Sequence, residues 1–439
     1  MTTVNQKNSA QNAESQKDED QQTVMTNNAK RMVDWDAAAA LVAKATPAGP
    51  RLSRDEAAEV VAGLRQAAHD AVAPILETTR MRPAPGLPQD SFGDVLVVDR
   101  AGWAATNLTM MQQVVEPALA AVTEKLPSST ITPYGAAAEV AALMGVMAPR
   151  VLGQFDPYTV IGAIASAPDA GTANSNPRET SISHSAQGTL VPPSQNLEEG
   201  LDSATDAQND GQGRGQLLLI APNVAQTERK LEVDPRDFRL WVALHEQTHG
   251  LQFAAAPWLA PHLYGLIGDL LTATSAKTLQ VAEGNTWDRL RNLFTLARDM
   301  FNSIINVDGP GPLEALLGPE EKLAFDTISA TMALLEGHAD VMMDEVGPAV
   351  VPTVTEIREK FEKRRDGEGQ NKAGVLLRRA LGMDAKLAQY RDGAVFVRGV
   401  EEIIGRDGFN AIWAGPENLP TPQEIEEPKL WVRRVHGYH

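Results

Sequence analysis

The chain has 439 residues and no cysteine. It therefore cannot contain a disulfide, a cysteine-ligated zinc finger, an iron–sulfur cluster or a thiol nucleophile. Any metal ion that the protein binds must be held by histidine, aspartate or glutamate. Histidine is itself scarce, with 8 in the whole chain, so two histidines at a ligand spacing are informative.

Basic residues are too few to balance the acidic ones. The chain has 39 lysines and arginines against 57 aspartates and glutamates, a formal net charge of −18. Such a charge disfavours non-specific binding to nucleic acid and to an anionic membrane surface. It says little about a substrate, since part of the acidity lies in segments that are expected to be flexible.

Long apolar runs are missing as well. The longest, at 217–222 and 240–244, fall far short of the roughly 18 residues that a membrane-spanning helix needs. The first residues are polar and lack the apolar core of an export signal, so we expect a cytoplasmic protein without a membrane span. Neither a G-x-x-x-x-G-K-S/T P-loop nor a G-x-S-x-G elbow is present.

Two segments are too polar to form a packed structure. Residues 1–30 are rich in Gln, Asn, Ser, Asp and Lys, and are expected to be a disordered tail. Residues 166–214 are rich in Ser, Asn, Gly and Asp, with strand-like sequence on both sides, at 158–164 and 216–221. We therefore expect a flexible acidic insertion in an overgrown hairpin loop, within a single domain that spans 31–439.

The remaining pattern predicts a mainly α fold of the α+β class, helix-rich with a small β-sheet. Ser53-Arg-Asp-Glu56 is a capping box, and Asp234-Pro235 places an N-cap residue before a proline in the first helical turn. Short strands are expected at 95–98 and 217–220, the second closed by Ala221-Pro222-Asn223. Helices are expected at 53–78, 101–125, 134–151, 234–253, 258–274, 284–306, 320–346, 354–365 and 384–404, and the tail 405–439 is expected to wrap the body.

The most informative segment is Leu240-Trp-Val-Ala-Leu-His245-Glu246-Gln-Thr-His249-Gly250, which contains H-E-x-x-H. Histidines four residues apart on a helix project from one face, where one tetrahedral zinc ion can accept a nitrogen from each. Glu246 lies beside that face and can take a proton from water and return it to a leaving group. Burying these side chains without a role would be costly. We therefore interpret His245 and His249 as zinc ligands and Glu246 as the general base.

A zinc site needs a third protein ligand. The metzincin extension is excluded, since Gln252 and Ala255 occupy the positions of its glycine and third histidine. A glutamate on another helix is the usual alternative, and Glu336 is the best candidate. Asp340 shares its helix face and is suited to receive the N–H of a ligand histidine. His338 is a competing ligand, although it lies on an apolar face, where a histidine is more often a core residue.

A reaction at the metal would also need a hydrogen-bond donor for a developing oxyanion. His262 and Tyr264, which follow the motif helix, are candidates for this role, as are Tyr390 and Arg391 in a later polar run. The sequence does not decide among them.

These residues resemble the gluzincin metallopeptidases, which combine an H-E-x-x-H helix with a distant glutamate. The wider chain resembles a bacterial family of zincin-like, zinc-dependent metallopeptidases, some of which carry a deazaflavin coenzyme biosynthesis label that no residue here supports. The likeness covers most of 34–437. It is carried by VVDRAGWAATNL at 97–108, VLGQFDP at 151–157, LLLIAPN at 217–223, FRLWVALHEQTHGLQFAAAPWL at 238–259, LLEGHADVMMDEVGP at 334–348 and YRDGAVFVRGV at 390–400.

The resemblance implies a helix-rich, zincin-like metallopeptidase domain with Zn²⁺ held by His245, His249 and Glu336, and with Glu246 as general base. We expect a zinc-dependent hydrolase that cleaves a peptide or protein substrate, with the strand at 217–220 as a sheet edge that pairs with an extended peptide. One alternative is a non-catalytic, metal-containing scaffold or binding protein of the same fold. Another is a metal hydrolase acting on a small amide.

Overall fold

The computed structural model describes residues 33–123, 133–157, 215–281, 317–365 and 383–437. Several predictions fall on other parts of the chain. The disordered tail at 1–30, the flexible insertion at 166–214, the strand at 158–164 and the helix at 284–306 lie outside the described residues and stay predictions.

In the described ranges the chain folds into α-helices around a small β-sheet, as the sequence predicts. The helices are α1 (Trp35–Ala45), α2 (Arg54–Asp70), α3 (Val72–Thr79), α4 (Arg100–Thr123), α5 (Pro133–Met147), α6 (Ala221–Leu231), α7 (Pro235–Ala255), α8 (Leu259–Val281), α9 (Pro319–Glu345), α10 (Val354–Arg365), α11 (Met383–Phe409), α12 (Pro422–Glu426) and α13 (Pro428–His436). The strands are β1 (Gly93–Val98), β2 (Gly153–Asp156) and β3 (Gly215–Ile220). Short 3-10 helices at Asn410–Trp413 and Pro416–Asn418 connect α11 to α12.

The helix-start signals in the sequence act where they were expected. The Glu56 N–H donates to Ser53 Oγ at 3.2 Å and the Ser53 N–H donates to Glu56 Oε2 at 2.7 Å, which completes the capping box of α2. The Asp234 side chain caps α7 by accepting a backbone N–H. The single helix predicted at 53–78 is instead two helices, because Pro74 in the first turn of α3 has no N–H with which to continue α2.

The sheet has the strand order β1-β3-β2, with β1 parallel and β2 antiparallel to β3. The central strand β3 sends Leu217 and Leu219 into one hydrophobic core and Leu218 and Ile220 into another. Burial on both faces explains its unbroken apolar run. Because β3 lies between β1 and β2, the prediction that the strand at 217–220 forms a sheet edge was wrong. Among the described residues, β2 is an edge strand.

The structure around β3 differs from the prediction in one further way. The hairpin partner of β3 that the structure describes is β2, a strand that the sequence pattern did not reveal. The strand β3 ends before Ala221-Pro222-Asn223, as expected. The chain enters α6 directly after Ile220, with Pro222 in the first helical turn, where a missing N–H leaves no hydrogen bond unmade.

The two cores lie on opposite faces of the sheet. The larger one joins α2, α3, α7, α9, α11 and the C-terminal tail, and the smaller one joins α1, α4 and α5. The tail packs against the body as predicted, since Trp431 is fully buried and its ring meets Phe396 of α11 edge-on, with centroids 6.0 Å apart. None of the helices in the described ranges combines the length and apolar character that crossing a bilayer requires.

Helices α9 and α11 approach each other at a pair of glycines. A Cβ built on Gly337 would overlap the backbone of Gly393, and a Cβ built on Gly393 would overlap the carbonyl of Ala333. The two backbones are therefore in direct contact, which only residues without a side chain allow. This contact positions the turn of α9 that carries Glu336.

Candidate metal centre

Three candidate ligands from distant parts of the sequence meet between α7 and α9. Nε2 of His245 and Nε2 of His249 lie 3.2 Å apart, and Glu336 Oε2 lies 3.5 Å from the first and 3.6 Å from the second. Atoms that coordinate one tetrahedral zinc ion at 2.0–2.1 Å lie about 3.3 Å from one another. The triangle therefore has the size that one zinc ion requires. Within the part of the chain that the structure describes, these three form the group with metal-ligating spacing.

The group is mostly enclosed by protein and favours positive charge. The side chains of His245, His249 and Glu336 are 19%, 12% and 18% exposed. Burial alone would lower the pKa of His249, but hydrogen bonding and Coulomb attraction to Glu336, with Coulomb attraction to Glu246, raise that pKa to about 9. The surroundings of His249 thus stabilise a cation, as a metal site must.

The Glu246 carboxylate lies beside this group, on the same helix, and the residue is 7% exposed. Gly153 of β2 contacts it closely, because a Cβ at this glycine would lie 2.7 Å from both Cδ and Oε1 of Glu246. Any larger residue at position 153 would displace the carboxylate. The strand therefore forms a wall of the site, and glycine there leaves the space that Glu246 occupies.

The outward ring nitrogens of the two histidines have different neighbours. Nδ1 of His245 lies 3.3 Å from Met343 Sδ, while Nδ1 of His249 lies 2.9 Å from Gln252 Oε1. The Gln252 amide also contacts α9 through its nitrogen, which lies 2.9 Å from the Leu335 carbonyl oxygen. The neutral amide of Gln252 therefore contacts the ligand histidine His249, where the sequence suggested the carboxylate of Asp340.

The structure corrects the expected role of Asp340. Its Oδ1 accepts a hydrogen bond from Arg358 Nη1 at 2.8 Å, and Arg358 Nε donates to Asp344 at 2.9 Å. Among the described residues the carboxylate of Asp340 meets Arg358 and neither ligand histidine. The face of α9 that carries Asp340 turns toward α10, where a charged guanidinium forms a stronger hydrogen bond than a neutral imidazole can.

His338, the competing ligand, lies in the core rather than in the metal-ligating group. It is fully buried, stacks on Phe409 with ring centroids 5.4 Å apart, and meets Trp413 edge-on at 5.2 Å. Burial, with smaller contributions from the positive charges of Arg406 and His249, lowers its pKa to about 3. The ring is therefore neutral at physiological pH.

The described candidates for the oxyanion donor, His262 and Tyr264, make their contacts with residues outside the metal-ligating group. Burial lowers the pKa of His262, which packs edge-on against Trp258. The Tyr264 hydroxyl donates to the Gln113 carbonyl at 2.9 Å, which uses the proton that an oxyanion donor would supply. The side chains of Tyr390 and Arg391 lie outside the described residues, so the donor stays unassigned.

Two residues that contact the site were not singled out from the sequence. The contact of Gln252 could have been predicted from its spacing. It follows His249 by three residues, and residues three apart on a helix lie on the same face. Gly153 carried no signal, since it is distant in sequence and its strand is too short to show a pattern.

The chain is similar to one protein family and to one solved structure. Residues 33–432 match a family of zincin-like metallopeptidases, whereas no curated protein sequence matches. A crystal structure from Chloroflexus aurantiacus, described as "a putative hydrolase with a novel fold", is similar with a TM-score of 0.56 and 22% identity, over 93% of this chain and 100% of that one. This second likeness concerns the fold alone. Because the family match covers nearly the whole described chain, the protein belongs to the zincin-like metallopeptidase family.

Proposed function

We propose that the protein is a zinc-dependent hydrolase that cleaves peptide bonds, with His245, His249 and Glu336 as zinc ligands and Glu246 as general base. The observation that carries the proposal is the triangle of ligand atoms, with sides of 3.2, 3.5 and 3.6 Å, beside a buried carboxylate on the same helix. Two imidazoles and a carboxylate are a donor set that suits zinc. Family membership supports a hydrolase.

Each group has a definite task in this proposal. Zinc, when bound, supplies a Lewis acid for the scissile carbonyl and lowers the pKa of a coordinated water to about 7. Glu246 accepts the proton of the attacking water and delivers it to the leaving amine. Its burial beside the ligands supports this task, because a carboxylate held by its neighbours needs no reordering before it accepts the proton.

Among the described residues β2 is an edge strand of the sheet, and this supports a peptide substrate over a small amide. The Leu152 carbonyl accepts from the Ile220 N–H at 2.9 Å, toward β3. Along an antiparallel strand, successive residues direct their backbone N–H and C=O groups alternately toward and away from the neighbouring strand. Because Leu152 points toward β3, Gly153 and Phe155 direct these groups away from β3. An extended peptide can pair with that edge, which would bring its backbone beside the carboxylate that Gly153 contacts.

The proposal predicts that the purified protein carries one zinc ion per chain and cleaves peptides in a zinc-dependent way. Metal analysis tests the first expectation. Digestion of a proteome-derived peptide library, read by mass spectrometry, tests the second, with cleavage lost after chelation and restored by zinc. His249→Ala should lose both zinc and cleavage, whereas His69→Ala, at an exposed histidine on α2, should keep both.

The other outcomes separate the alternatives. Bound zinc without cleavage of any peptide would favour the non-catalytic scaffold. Cleavage of small amides but of no peptide would favour an amide hydrolase. Cleavage that continues in chelated protein would show that the reaction does not use the metal centre.

We expect Gly153→Ala to reduce peptide cleavage about 10- to 100-fold, because the new methyl group displaces the Glu246 carboxylate from its place beside the ligands. Zinc affinity should stay within about threefold of wild type, since Gly153 faces the base and not the three ligand atoms. Steady-state kinetics and a zinc competition titration measure the two quantities. Equal losses in both would mean that the substitution disturbs α7 as a whole.

A further inference from the structure

We propose that Gln252 is a positioning residue of the metal centre, which holds His249 and Glu336 in ligand geometry by joining α7 to the turn of α9 that carries Glu336. The inference rests on the proposed zinc site and deepens it. Gln252 would act through His249 and Leu335, without touching the metal or the substrate.

The Gln252 amide is fully buried and makes hydrogen bonds at both ends. Its Oε1 lies 2.9 Å from His249 Nδ1, and its Nε2 lies 2.9 Å from the Leu335 carbonyl oxygen and 3.0 Å from His338 Nδ1. One end thus holds a ligand histidine. The other end holds the backbone carbonyl immediately before the ligand Glu336, so the two ligand-bearing helices are tied together at the metal.

The Leu335 carbonyl determines which group donates and which accepts in each hydrogen bond of Gln252. The Leu335 carbonyl can only accept, so the amide nitrogen of Gln252 must face it and the amide oxygen must face His249. In its neutral form, which a metal ligand requires, His249 therefore carries its proton on Nδ1, and its Nε2 lone pair is directed toward Glu336 and His245. The second amide hydrogen points to His338, whose Nδ1 must accept it, so the His338 proton is on Nε2.

This arrangement explains why glutamine suits the position. The side chain must accept from His249 at one end and donate to the Leu335 carbonyl at the other, which a carboxylate cannot do. A glutamate would also place a third negative charge near those of Glu246 and Glu336. Asparagine is one methylene shorter and could not reach both helices from the same Cα.

His338 supports the amide from the far side. Its ring is fully buried and stacked on Phe409, with an interplanar angle of 13°. The stack holds Nδ1 toward Gln252, so the orientation of the amide does not depend on solvent. The core histidine thus has a place in the same hydrogen-bonded chain as the ligand His249.

The test compares two buried glutamines on one helix. Gln247 is 3% exposed and its Nε2–H donates to the Ala68 carbonyl at 2.8 Å, away from the histidines. We expect Gln252→Met to weaken zinc binding about 10- to 100-fold, the usual effect of losing an outer hydrogen bond to a ligand, and Gln247→Met to weaken it by less than about threefold. A chromophoric chelator in competition with the full-length protein measures zinc affinity without any substrate.

The outcomes are distinguishable. Wild-type protein that does not bind zinc would refute the proposed metal site, and this inference with it. Wild-type protein that binds zinc, with equal affinities in the two variants, would overturn the role of Gln252 and leave the metal site intact.

A second measurement on wild-type protein does not depend on whether a variant folds. In zinc-loaded protein with ¹⁵N-labelled histidines, we expect His338 to carry its proton on Nε2 and His249 to carry its proton on Nδ1. The His338 signal is assigned in wild-type protein through its couplings to the His338 backbone. A proton on Nδ1 of His338 would overturn the proposal, because two donors would then face each other at Gln252.

Discussion

Glu246→Gln is expected to remove nearly all peptide cleavage while zinc stays bound. The amide has the shape of the carboxylate but cannot accept a proton from the attacking water, and loss of a general base reduces rates by about 10²- to 10⁴-fold. The three ligand atoms are untouched by the change. The measurement is kcat on the best peptide found, together with the zinc content of the same sample.

A matched control for Glu246→Gln is Glu359→Gln, which removes the same charge at an exposed position of α10 and should leave kcat unchanged. Full activity in Glu246→Gln would show that another group moves the proton. Loss of zinc together with activity would assign the Glu246 carboxylate to metal binding and not to the reaction.

Gly337→Ala is expected to destabilise the protein by about 3 kcal/mol or more, even though alanine is the better helix former. The new methyl group would overlap the backbone of Gly393, and a backbone cannot rotate away as a side chain can. Helices α9 and α11 would have to separate, which opens the larger core. Because Glu336 precedes Gly337, zinc affinity should fall as well. Denaturant unfolding and zinc titration measure the two effects.

Gly265→Ala is the matched control for Gly337→Ala, since Gly265 lies within α8 and has no atom within 4 Å of a built Cβ. That variant should be as stable as wild type or more stable by up to about 1 kcal/mol. A Gly337→Ala protein as stable as this control would contradict the direct backbone contact between α9 and α11.

The positions that the sequence predicted well are those whose geometry is local. The Asp234 cap and the period of the following residues predicted α7, and the four-residue spacing of His245 and His249 then put both rings on one face. The mainly α class with a small sheet followed from the same periodicity. Glu336 was predicted from the apolar surroundings of its helix, and the structure brings it to the two histidines.

The predictions that failed concern which elements lie next to each other. β2 has four residues and shows no alternation, and whether 217–220 is central or at an edge depends on strands far away in sequence. Asp340 was matched to a histidine on the basis of its helix face alone. The packing of α10 against α9 brings in Arg358, which binds the carboxylate instead.

By itself, the sequence determined the kind of chemistry open to this protein: with no cysteine and 8 histidines, a metal site had to be built around His245 and His249, because helical spacing is a property of the local chain. Only the tertiary structure decided what completes and orients that pair. The approach of Glu336, the amide of Gln252 and the space left by Gly153 arise from packing between segments that no local pattern relates, since such contacts depend on how all the buried surfaces fit together.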